Sequence, residues 1–178
     1  MKRAILLGLL LGLSACDEPT IITHVDKLSH MEQSDLFVMQ DANGIPVVFH
    51  GLPFRETSAE TLASAMQPPS GSAQSVRFYA SPPETQHGGH GWRLVLHFNP
   101  QGGIPNSQQD CRRTGAADTA GLPTQGFSVN ATFCKGTEWQ AHGFMKVLQI
   151  QNGDTKAFTR VMKQLLLAIF PKNTDPDR

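Results

Sequence analysis

Ten apolar or small residues in a row, Ala4 to Leu13, follow Lys2-Arg3 at the start of the chain and give way to Ser14-Ala15-Cys16. A basic start, a short apolar run and small residues behind it make a secretory leader, too short to cross a hydrocarbon core roughly 30 Å thick as a stable helix. This feature constrains the fold most, because it removes residues 1–15 from the folding problem and delivers the rest to an oxidising compartment, where thiols pair. What remains of the 178 residues fits one domain, and 39% hydrophobic content suffices for a core. The 15 basic and 15 acidic residues form no basic run after the leader, so a nucleic-acid partner is not expected.

Leu13-Ser14-Ala15-Cys16 resembles the lipobox of bacterial lipoproteins. The resemblance implies cleavage before Cys16, diacylglycerol on its thiol and acylation, commonly by palmitate, of the new amine. An ordinary cleaved leader with a chance cysteine is the alternative. The small residues before Cys16 and the polar Asp-Glu-Pro-Thr after it disfavour that. Asp17 resembles the signal that retains enterobacterial lipoproteins in the inner membrane, which implies the periplasmic face of that membrane rather than the outer membrane. Loss of Lys2 and Arg3 with the leader leaves 13 basic against 15 acidic residues, so the anchor rather than a basic patch must supply attachment to the bilayer. With Cys16 carrying lipid, Cys111 and Cys134 remain, and a disulfide between them is expected in that compartment. Closing this loop would remove unfolded-state entropy worth roughly 3 kcal/mol.

Residues 16–34 are polar and weakly patterned and are expected to form the lipidated start and a tether, before a single domain over 35–171 and a tail over 172–178. Leu36 to Met39 and Ile45 to Phe49 flank Asn43-Gly44 and suggest a hairpin, with Pro46 placing the second strand at an edge or delaying its start. Thr57-Ser58-Ala59-Glu60 matches a capping box opening a helix to about Gln67. Strands are expected at 76–79, at Trp92 to Phe98, at Phe127 to Phe133, and from Trp139 to Ile150 with an interruption near His142-Gly143. Residues 101–125 lack periodicity and predict a long loop. Asp154 should cap a last helix to Phe170 with a broad apolar stripe. The sum is an α+β fold, a largely antiparallel sheet of five to six strands packed against two helices. Signal, tether and such a domain are together similar in plan to small proteobacterial envelope lipoproteins.

Motifs for chemistry are sparse. His87-Gly88-Gly89-His90 with His97 downstream offers imidazoles for zinc or copper, without the spacing of a zincin helix; a solvated loop is the plainer reading. His50 and His142 could join only if the fold brings them close. No G-x-S-x-G elbow is present, and both thiols left for Cys–His chemistry are expected to be oxidised. Paired Arg112-Arg113 could meet an acidic partner or simply lie exposed. The expectation is a membrane-anchored accessory or binding protein of the envelope, meeting a protein partner or small ligand and not acting as an enzyme. The alternatives are a His-cluster metal protein and a periplasmic hydrolase whose site is assembled from distant residues.

Overall fold

The computed structural model describes residues 20–28, 31–68, 76–82 and 91–171. The leader, Cys16, Asp17, His87 and His90 lie outside the described residues. The centre of the molecule is three antiparallel strands: β4 (Trp92–Phe98), β5 (Phe127–Lys135) and β6 (Glu138–Val147). Period-2 alternation sends Leu94, Leu96 and Phe98 of β4 and Val129, Ala131 and Phe133 of β5 to one face, all buried in a single apolar core.

That core is closed by α4 (Thr155–Ile169), whose start is capped by the Asp154 carboxylate accepting from the Ala157 amide at 2.9 Å. Phe158, Val161, Met162, Leu165, Leu166 and Ile169 are all buried against the sheet. Helix α2 (Ala59–Ala65) lies beside α4, joined to it where Thr159 Oγ1 donates to the Ala65 carbonyl at 2.9 Å. Its cap is Ser58, whose hydroxyl accepts from Thr61, and not Thr57 one residue earlier. The expected break near His142-Gly143 is absent, and β6 runs straight through. Gly143 serves packing instead: a Cβ there would come within 3.0 Å of Leu165 and 3.2 Å of Ile169. The missing side chain lets α4 lie close to the sheet.

Several expectations are corrected. The sheet is mixed, not largely antiparallel: its order is β1 (Thr20–Lys27), β6, β5, β4, β2 (Ile45–His50) and β3 (Phe78–Ser81). Strand β2 runs parallel to both β3 and β4. Parallel neighbours need a crossover, and α2 supplies the one between β2 and β3. Accordingly β2 is almost wholly buried and is no edge strand; Pro46 sits one residue before pairing with β4 begins at Val47. The expected first hairpin strand is a short helix, α1 (Asp35–Met39), which buries Leu36, packs Met39 on the core and leaves Phe37 and Val38 exposed. Within the segment read as a tether, Thr20–Lys27 form β1, the sheet's edge strand beside β6. The loop over 101–125 contains α3 (Ser107–Arg112), and this helix covers the opposite face of the sheet from α2 and α4. There are therefore four helices among the described residues, on both faces rather than one. None is long and apolar enough to cross a membrane.

Candidate functional site

The alternation that sends Leu94 and Leu96 to the apolar core sends Arg93, Val95 and His97 the other way. From β2 the same face receives Val48 and His50, and from β5 Asn130 and Thr132. Polar side chains there are buried because the crossover from β4 to β5, residues 99–126, folds back over them. Its first residue, Asn99, adopts φ 46°, a left-handed conformation asparagine tolerates better than most. The Asn99 side-chain oxygen accepts from the Ser128 amide at 2.9 Å, and its carbonyl accepts from the Ala120 amide at 2.7 Å.

Helix α3 is fixed at each end and in its middle. Asn106 caps it by accepting from Gln108 and Gln109. Arg93 Nη2 donates to the Cys111 carbonyl near its last turn. Between them Asp110, 1% exposed, holds two partners: Asn130 Nδ2 donates to one carboxylate oxygen at 2.9 Å, and His97 Nδ1 lies 3.3 Å from the other. On its other side His97 Nε2 lies 3.1 Å from the Asp118 carbonyl. The disulfide Cys111–Cys134, with Cα atoms 5.6 Å apart, joins α3 covalently to β5.

A His–Asp pair steadied by an amide has the parts of an acid–base relay. Here both ring nitrogens of His97 are engaged and the residue is 4% exposed. The pair acts as a clamp. His50 lies beside it, the two rings edge to face with centroids 5.8 Å apart, and neither of its nitrogens has a partner among the described residues. Burial pushes the His50 pKa down to about 4; Asp110 opposes this, while His97 and Arg113 reinforce it. His50 is therefore a neutral, buried imidazole at ordinary pH.

A second group sits along the same face toward β1. His24 and His142 face each other with ring centroids 5.0 Å apart, and Trp139 meets His142 edge-on at 5.3 Å. With Ile104, Pro105, Asn106, Ser107 and Gln108 they line an open cleft of about 270 Å³. Burial, and then the neighbouring His24, lower the His142 pKa, against the pull of Asp26 and Asp110. The Ser107 hydroxyl and the His142 Nδ1 are buried without a hydrogen-bond partner among the described residues. Hollows of about 360 and 740 Å³ open elsewhere, around Thr119 to Leu122 and around Gln149 to Asn152, and contain none of these histidines.

The expected disulfide between Cys111 and Cys134 is present, with both residues fully buried. His97 belongs to the Asp110 clamp. His50 joins it there, whereas His142 pairs with His24 instead. No group of three His, Cys, Asp or Glu side chains among the described residues is placed to hold a metal ion. Arg112 is exposed and Arg113 half-buried. Sequence reasoning missed Asp110, Asn130, Arg93, His24 and Trp139. One signal was available: Asn130 and Thr132 alternate with Val129, Ala131 and Phe133 in a strand too apolar to be an edge, so their face had to be covered by something polar. Compared with known proteins, the chain matches no protein-family model, no curated protein and no solved structure.

Proposed function

We propose that the protein is a lipoprotein of the cell envelope, anchored through acylated Cys16 on the periplasmic face of the inner membrane, and that it works by binding rather than by catalysis. The surface it presents is the crossover of residues 99–126 with the adjoining cleft. One observation carries this reading: the polar groups beneath that surface tie it down. Asp110, His97, Asn130, Arg93 and the disulfide all hold α3 in place, and what they hold displays Ile104, 50% exposed, beside Trp139 and two imidazoles. A surface ordered in advance loses little freedom on binding, which favours recognition. A cleft of this size suits the side chain of a partner or a small planar ligand.

The anchor and the surface are tested together. A photo-reactive phenylalanine analogue is placed at position 104 in the full-length protein, with a second at exposed Gln164 on α4 as control. Irradiated cells should yield a discrete membrane-associated adduct from position 104 and none from 164. Equal or absent cross-linking at both positions contradicts the binding reading. Cys16→Ala should release the protein from the membrane fraction; a variant that stays bound contradicts the anchor.

A further inference from the structure

The described fold begins only four residues after Cys16, since Thr20 opens β1. Four Cα-to-Cα steps reach at most about 14 Å. If Cys16 carries lipid, the end of the sheet around Thr20 cannot stand off from the bilayer on a long tether. It lies within that distance of the lipidated residue. At that end Thr20 pairs with Val147 and Ile21 with Lys146. The side chains there are apolar and open: Ile21 is 47% exposed, Leu148 41% and Ile22 37%. Lys146 is exposed beside them.

Resting on the lipoprotein reading above, we infer that this end of the sheet is a membrane-docking surface, with Ile21, Ile22 and Leu148 seated among phospholipid headgroups and upper acyl chains. Lys146 lies with its stem along Ile21 and its ammonium on a lipid phosphate. The domain then has a fixed orientation. Strand β6 is ten residues long, so at about 3.3 Å per residue its other end, the Lys135–Glu138 turn, stands roughly 30 Å away from the bilayer. The cleft at Trp139 and His142 opens near that distal end. Recognition therefore happens away from the membrane, at a set height above it.

The test uses full-length protein expressed with its leader, purified in detergent and reconstituted into phosphatidylethanolamine–phosphatidylglycerol vesicles. Cys111 and Cys134 are joined and Cys16 is acylated, so one introduced thiol labels uniquely. Spin labels are placed through Ile21→Cys, Leu148→Cys and, as distal control, Lys135→Cys, and the mass of the amino-terminal peptide is read from the same samples. With Cys16 acylated, labels at 21 and 148 should collide several-fold more with oxygen, relative to a water-soluble nickel chelate, than the label at 135. An acylated protein whose three labels behave alike overturns the docking surface and leaves the anchor standing. Spin–spin broadening at 21 would show a second copy seated there and overturn it equally. An unmodified Cys16 overturns both readings.

Discussion

The two faces of the sheet are built from alternate residues of the same strands, yet they are held by different physics. On one face, Phe98, Phe127, Phe133 and Phe158 interlock with the leucines of α4 in a single apolar cluster. On the other, α3 is held by a carboxylate, an imidazole, an amide, a guanidinium and one covalent bond. Apolar packing is non-directional and tolerates small shifts. A polar network demands fixed geometry, because each group that loses its partner keeps its desolvation cost. The first face makes the domain fold, and the second fixes a surface in one shape.

The largest expected effect falls on the apolar face. Phe158→Ala should cost about 3–5 kcal/mol through lost burial and the cavity left behind, read as a lower denaturant midpoint. On the polar face, Asp110→Ala takes one partner from His97 and one from Asn130 and should cost about 3 kcal/mol. Combined with His97→Ala, the loss should be clearly less than the sum of the two single losses; strict additivity would show that the two residues are not coupled. Converting both Cys111 and Cys134 to Ser should cost about 2–4 kcal/mol. Hydrogen exchange should speed up in α3 well before α4, and a uniform rise would erase the distinction between the faces.

The most gradual effect is that of pH. The folded state holds the His50 pKa near 4, below the ordinary 6.5, so it disfavours the proton that the unfolded chain accepts. The stability this contributes is complete above pH 6.5 and is lost as pH falls through 6.5 toward 4. His142, also lowered, acts in the same direction. His50→Phe should flatten the pH dependence of unfolding over that window while leaving neutral-pH stability nearly unchanged. An unaltered slope would place His50 in water.

The apolar face was largely legible. Asp154 with the stripe of α4, and the alternation in β4 and β5, are local patterns that determine local structure. What failed was non-local. Leu36 to Met39 has strand-like composition, but only Leu36 and Met39 find the core, and their spacing suits a helical turn. Parallel pairing of β2 depends on where the chain crosses over, which no short window of sequence records. Strand β1 was read as tether because its Ile21, Ile22 and Val25 remain exposed at an edge, so no regular alternation marks it. The clamp was illegible for a related reason: Asp110 and Asn130 lie twenty residues apart and become partners only when the crossover folds back. The cysteine pair was legible because, with Cys16 assigned to the lipobox resemblance, only Cys111 and Cys134 remain to pair, and the fold brings their Cα atoms to 5.6 Å.

The proposed function rests on one residue that would hold the chain at the membrane, Cys16. Tandem mass spectrometry of the amino-terminal peptide from the mature protein tests this most directly. The account predicts a peptide beginning at Cys16, with diacylglycerol on the sulfur and a fatty acyl group on the amine. A free thiol at Cys16, or a mature chain that begins elsewhere, would contradict it.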